Sequence, residues 1–239
     1  MDDPYNPPMA KSLLLQLRNR LKSQADPVKA PQMQRYMKST MPYHGVQTPL
    51  RRSICREIFK DLDFSTDRLW RDHVLALWNG AEFREERYAA LDLAAHRKAK
   101  GFQVIPALTM YEQMIVTGAW WDYVDEIAHR LEEILRHDPE KMKKKMRVWS
   151  TSSNMWKRRS SIICQLDFKR ETDLHLLYSC IEPSLSSKEF FLQKAIGWAL
   201  RQYAWTDAKE VTKYVRLNHD RLSPLSQREA LKNLKKIDK

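Results

Sequence analysis

Apolar residues recur along nearly the whole chain at a spacing close to 3.6, the repeat of one helix face. Leu13-Leu14-Leu17-Leu21, Leu69-Val74-Leu77, Tyr88-Leu91-Ala95 and Leu192-Ile196-Ala199-Tyr203 all follow it. The punctuation between these runs agrees. Thr48-Pro49, Asp138-Pro139 and Ser223-Pro224 each set a capping residue before a proline suited to the first helical position. Ser186 with Glu189, and Ser226 with Glu229, have the spacing of a capping box. The pattern predicts about a dozen helices of roughly 10 to 20 residues joined by short loops, and no strand. The expected fold class is all-α.

A longer period overlies the helical one. Thr117, Ser152 and Ser187 stand 35 residues apart, each expected to open a helix, and each is followed four residues later by an aromatic: Trp121, Trp156 and Phe191. Thr48 fits as an earlier, more degenerate member. A helix pair recurring at this interval is the mark of an α-solenoid of HEAT, armadillo or TPR type. The TPR consensus is absent, so HEAT-like repeats with a concave groove are expected. The segment through Pro8 is expected to fray, leaving residues 9–239 as one repeat domain.

Composition then narrows the partners. Lys and Arg number 42 against 30 Asp and Glu, a net charge of +12. That field favours nucleic acid, an anionic membrane or an acidic protein. No apolar run approaches the ~20 residues that span a bilayer, which removes the membrane. Five glycines leave little material for phosphate-cradling loops. The acidic, proline-punctuated start Met1-Asp2-Asp3-Pro4 is unlike a secretory signal, and Cys55, Cys164 and Cys180, three in number and without a CxxC, read as reduced core thiols. A cytoplasmic protein is expected. Arg51, Arg52, Arg84, Arg87, Arg158, Arg159, Lys188, Lys194 and Arg201 fall on the candidate groove helices, interleaved with Trp and Tyr, as a phosphate backbone would require. The plainer reading of such charges is solvated helix faces.

Several chemistries have no sequence basis. There is no HExxH, no paired-cysteine zinc spacing, no GxSxG and no P-loop; Asp167-x-Lys169 lacks the acidic partner of a nuclease motif. No metal and no organic cofactor is implied. What stands out is Trp120-Trp121-Asp122-Tyr123-Val124-Asp125. Trp120, Val124, Ile127, Leu131 and Ile134 supply the core stripe of this helix, so Trp121 and Asp125, one turn apart, project together off it. The equivalent positions 35 and 70 residues on are Ser160 and Ala195, so the repeat itself does not require an acid there. A helix-dipole role suits Asp122, in the first turn, better than Asp125. Arg159 and Trp198 follow at 34 and 73 residues beyond Asp125, on successive repeats that can converge on it. Two tryptophans, an arginine and an unpaired aspartate suit a nucleoside bearing a positively charged alkylated purine. Aromatic faces attract a cation, a carboxylate steadies an oxocarbenium-like sugar and orients water, and arginine grips a phosphate. The charged base leaves without a general acid.

Gln34-Arg35-Tyr36-Met37-Lys38, Gly45-Val46-Gln47-Thr48-Pro49, Thr117 through Ile127, Asn154 through Gln165, and Ser186 through Phe191 on to Gly197-Trp198 resemble the AlkD-type DNA alkylation repair glycosylases, built from HEAT-like repeats. The resemblance runs from about Met9 to the C-terminus. It implies excision of N3- and N7-alkylated purines from duplex DNA by a metal-free monomer associated with the nucleoid. By motif, Asp125 matches the catalytic carboxylate, Trp121 and Trp198 the aromatics flanking the lesion deoxyribose, and Arg159 the phosphate arginine. The adjacent Arg158 leaves a one-residue ambiguity. Tyr36 and Gln47 match positions near the duplex, with Arg158, Lys188, Lys194 and Arg201 as further DNA contacts. Relatives of this kind are expected to act from the sugar-phosphate side rather than bury a flipped base. Some bind DNA without excising anything, so a non-catalytic DNA-binding repeat protein is the alternative. A protein-interaction solenoid for an acidic partner is the third reading.

Overall fold

The computed structural model describes residues 7–234, and among these every regular element is helical. The all-α expectation holds. The chain divides into two compact units, Met1–Phe102 and Gln103–Lys239. In unit 1, α1 (Pro7–Ser23), α3 (Thr48–Phe59), α4 (Asp67–Gly80) and α5 (Arg84–Ala94) pack on one another, and α2 (Lys29–Met37) joins α1 to α3 along the chain. In unit 2, α6 (Leu108–Gly118) leads into α7 (Trp121–His137), α8 (Pro139–Ser150), α9 (Met155–Ile163), α10 (Leu174–Ile181), α11 (Phe190–Ala204), α12 (Ala208–Leu217) and α13 (Pro224–Ala230). Here α7 packs on α9 and α9 on α11, while α8 packs on α10 behind them. This is the two-layer stacking of successive helix pairs. None of the described helices is long and apolar enough to cross a membrane.

Periodicity explains which residues are buried. Leu13, Leu17 and Leu21 of α1, and Val124, Ile127, Leu131 and Ile134 of α7, are all at most 5% exposed. The three cysteines are free and buried. A core in unit 2 runs from Ala128 through Ile162, Leu177, Ile196 and Val211 to Ala230, so α7 and α9 to α13 share one apolar interior.

The caps depart from the sequence reading in several places. Asp138 and Ser223 do cap α8 and α13, accepting from Lys141 N and Ser226 N. Thr48 is itself helical, with Gln47 at the cap position and no side-chain bond. Neither capping box forms. Glu189 is the residue before α11, and Ser226 lies inside α13. Thr117 ends α6 instead of opening α7, its hydroxyl donating to Gln113 O. Helix starts at Trp121, Met155 and Phe190 nonetheless keep an interval of 34 to 35 residues. Of the N-terminal segment expected to fray, residues 1–6 lie outside the described residues, and Pro7-Pro8 open α1.

One loop of unit 1 is built around a buried carboxylate. Glu85 accepts from the backbone N–H groups of His44, Gly45 and Val46 at 3.0, 2.8 and 3.1 Å. Gly45 sits at φ +87°, and a Cβ there would lie 2.2 Å from Asp26 O, so only glycine fits. This fixes the chain that delivers the exposed Gln47 to the start of α3.

Candidate active site

The turn between α6 and α7 sets the site. Ala119 closes α6 in the left-handed region at φ 45°, a conformation that costs an L-residue about 1 kcal/mol. Trp120 is then extended, and α7 starts at Trp121. This turn parts the two indoles. Trp120 packs with Trp156 and Phe191, ring centroids 6.1 and 5.5 Å away, closing an aromatic trio at the starts of three successive inner helices. Trp121 instead lines an open cleft of about 330 Å³. Asp125, one turn on, lines it too, with Arg159 from α9 and Phe190, Phe191, Lys194, Trp198 and Arg201 from α11.

Asp125 is not unpaired, as the sequence suggested. Arg159 donates to both of its carboxylate oxygens, Nε to Oδ1 and Nη2 to Oδ2, each at 2.8 Å. A third bond, Nη1 to Phe191 O at 2.6 Å, ties the guanidinium to the start of α11. Arg159 is 4% exposed, and its Cζ lies 5.9 Å from the Trp198 ring centroid. Three of a guanidinium's five N–H groups are thus engaged, leaving two for a ligand. Burial pushes the Asp125 carboxyl above its ordinary range, and the Arg159 fork opposes that push.

The other residues singled out by sequence part company here. Lys194 and Arg201 line the cleft, both paired with Glu229 of α13. Arg158 does not line it: Nε and Nη2 donate to Ser184 Oγ, and Nη2 also to Pro183 O. Of the two adjacent arginines, Arg159 is the one that lines the cleft. Lys188 is exposed before α11 and outside the cleft. Tyr36 and Gln47 belong to unit 1, both exposed. The expected track of free cations is largely internal pairing. Arg51 is buried and forks onto Asp92, Arg52 reaches the same carboxylate, Arg84 is buried against Tyr88, and Arg87 lies over the Trp78 ring.

Two cleft residues, and one that stands behind the cleft, escaped the sequence reading of the site. Phe191 read only as a repeat marker and Phe190 only as part of the stretch that carries the resemblance, although Phe190, Lys194, Trp198 and Arg201 at i, i+4, i+8 and i+11 trace one helix face. Glu229, which pairs with both cleft cations from behind, read only as half of a capping box with Ser226. Elsewhere, His129, Glu132 and Asp167 bring one potential ligand atom each within 4.8 Å of one another. Glu132 raises the His129 pKa, favouring an imidazolium held between carboxylates. Both carboxylates lie within ion-pair distance of His129 Nδ1, Glu132 Oε2 at 3.9 Å and Asp167 Oδ2 at 3.4 Å.

Chemically, the cleft offers one fixed carboxylate, aromatic walls and three cations. Such a site can stabilise positive charge that develops beside Asp125 and hold negative charge along α11.

A family model described as DNA alkylation repair enzyme matches residues 17–234. A solved structure described as a predicted DNA alkylation repair enzyme from Enterococcus faecalis superposes with a TM-score of 0.80. It is 28% identical and the match covers 89% of this chain and 97% of that one. No curated protein sequence matches this chain.

Proposed function

Because the chain belongs to the DNA alkylation repair enzyme family, we propose that its reaction is hydrolysis of the N-glycosidic bond of N3- and N7-alkylated purines in duplex DNA. A positively charged base is already a good leaving group, so the protein need not protonate it. As the bond lengthens, positive charge moves onto the deoxyribose. Asp125 stabilises that sugar cation and orients the water that adds to C1′, taking up its proton. Trp121 and Trp198 flank the sugar with their ring faces. Arg159 fixes the carboxylate by its fork, and its two spare N–H groups reach toward the adjoining phosphate.

The observation that carries this reading is the Asp125–Arg159 pair: an acid fixed by two 2.8 Å bonds on the aromatic wall of an open cleft. A fork between α7 and α9 could be only a structural tie. The cleft-facing Trp121 beside it argues otherwise, because a merely structural pair needs no indole left facing open space. An open cleft of this size also favours attack from the sugar-phosphate side, with the alkyl group left outside and bulky adducts tolerated. DNA is the partner that membership in the family implies.

The test is release of 7-methylguanine and 3-methyladenine from methylated duplex DNA by wild type and Asp125→Asn. Wild type should release both. The Asn variant should lose about 10²–10³ in rate, the usual effect of removing one preorganised electrostatic group, with DNA binding kept or tightened. Equal release by the two proteins would remove Asp125 from the reaction. Tight DNA binding without release from either would leave a non-catalytic damage-binding protein.

A further inference from the structure

Lys194 and Arg201 stand two turns apart on α11, and both line the cleft. Both end on one carboxylate. Lys194 Nζ donates to Glu229 Oε1 at 2.8 Å, and Arg201 Nη1 donates to Oε2. The three side chains are unequally exposed: Glu229 12%, Arg201 22% and Lys194 37%. Glu229 itself does not line the cleft. The acid therefore stands behind the two cations, on the side away from any ligand. A carboxylate serving to block the cleft would stand in front of them.

The backbone is arranged to put it there. Gly197 lies on α11 between the two cations, and a Cβ on it would come 2.5 Å from Glu229 Cβ and 3.0 Å from Ser226 O. Ser226 Oγ donates to Gln193 O at 2.9 Å, one turn before Gly197. A glycine-sized gap and this bond seat α13 directly on the helix that carries the cations. Lys194 holds the Glu229 carboxyl below its ordinary range, so it is ionised at neutral pH. Two like charges sharing one helix face would otherwise repel, and fixing two long, free side chains on binding would cost their rotamer freedom.

We propose that Glu229 is a positioning residue for a two-cation phosphate clamp. It holds Lys194 and Arg201 side by side so that their remaining N–H groups take a phosphate of the DNA strand whose lesion sugar faces Asp125. The identity of that strand rests on the glycosylase reading above; the clamp for a DNA phosphate does not. Glutamine and alanine at position 229 carry the same charge, but only glutamine keeps an acceptor oxygen with two lone pairs. Comparing them separates positioning from electrostatics.

The experiment uses the full chain as wild type, Glu229→Gln, Glu229→Ala, Lys194→Ala/Arg201→Ala, and the latter combined with each 229 variant. Single-turnover release of 7-methylguanine and low-salt affinity for undamaged duplex are measured on each. Glu229→Ala should excise about tenfold more slowly than Glu229→Gln, since a misplaced positioning group costs up to about 10²-fold. It should also bind duplex more weakly. In the Lys194→Ala/Arg201→Ala background the two 229 variants should become equal. Equal behaviour of Gln and Ala in the parent background would overturn the proposal. So would a Gln–Ala difference that survives loss of both cations, which marks a fold effect. Faster excision by Glu229→Ala than by wild type would make Glu229 a block and also overturn it. If wild type releases no base, the glycosylase reading falls, and the Gln–Ala difference in DNA affinity still decides the clamp.

Discussion

Replacing Arg159 by leucine removes both bonds that fix Asp125 and leaves burial, already the largest influence on that carboxyl, opposed only by the more distant His129. An arginine at hydrogen-bond distance favours the ionised carboxylate, so losing it should raise the Asp125 pKa further. Below the raised pKa the rate should fall about tenfold per pH unit, the slope of one required ionisation. The sign is fixed by the chemistry. Excision needs the carboxylate, so rate is lost as pH falls through the raised pKa, and the acid limb of the variant lies at higher pH than that of wild type. For stability the same upward shift means that the carboxyl's contribution weakens as pH rises through this range. The assay is single-turnover release of 7-methylguanine from duplex DNA between pH 5 and 9, chosen as about two units either side of neutrality. Arg159→Lys is the control. It keeps the charge without the fork, so its acid limb should stay near that of wild type while its plateau falls. An acid limb in Arg159→Leu unchanged from wild type would refute the reasoning, because Arg159 would then not set the ionisation that limits the rate.

Two further predictions concern the scaffold. Burial acts to raise the Glu86 carboxyl, but the bonds from Arg18 and the Glu82 N–H, with the His44 ring 3.6 Å away, prevail and hold it at about 2, against an ordinary 4.5. That stabilisation, on the order of 3 kcal/mol, is present above the ordinary value and lost as pH falls toward 2. Glu86→Gln should lower urea-unfolding stability by a similar amount at pH 7, and a loss under about 1 kcal/mol there would contradict the assignment. Gly197→Ala should force α13 away from α11 and destabilise the chain by about 1–3 kcal/mol, the usual cost of overpacking. It should also slow excision, by displacing Glu229. An unchanged Tm would show that α13 can shift without loss.

The sequence by itself determined the helices, their order and much of the cleft's membership. A helix buries one stripe, and that stripe repeats every 3.6 residues, so apolar spacing reports it without knowledge of any neighbour. The same logic singled out Trp121 and Asp125, which are surplus to the stripe of α7, and placed Trp198 beside that of α11. What the sequence could not contain is which charge meets which. Asp125 and Arg159 are 34 residues apart, Arg51 and Asp92 41, and Arg201 and Glu229 28. Each pair exists because two helix faces pack, and no local pattern encodes that. For this reason a basic track read as free turned out mostly paired, and an aspartate read as unpaired carries a fork. The caps at Asp138 and Ser223 formed as read, while others failed for a related reason. Thr117 and Ser226 have the chemistry of helix starts, but whether a chain turns before or after such a residue depends on how its helices dock. Local periodicity fixes which face is buried; only the packing of one helix on the next decides the partner, and with it the charge that the cleft presents.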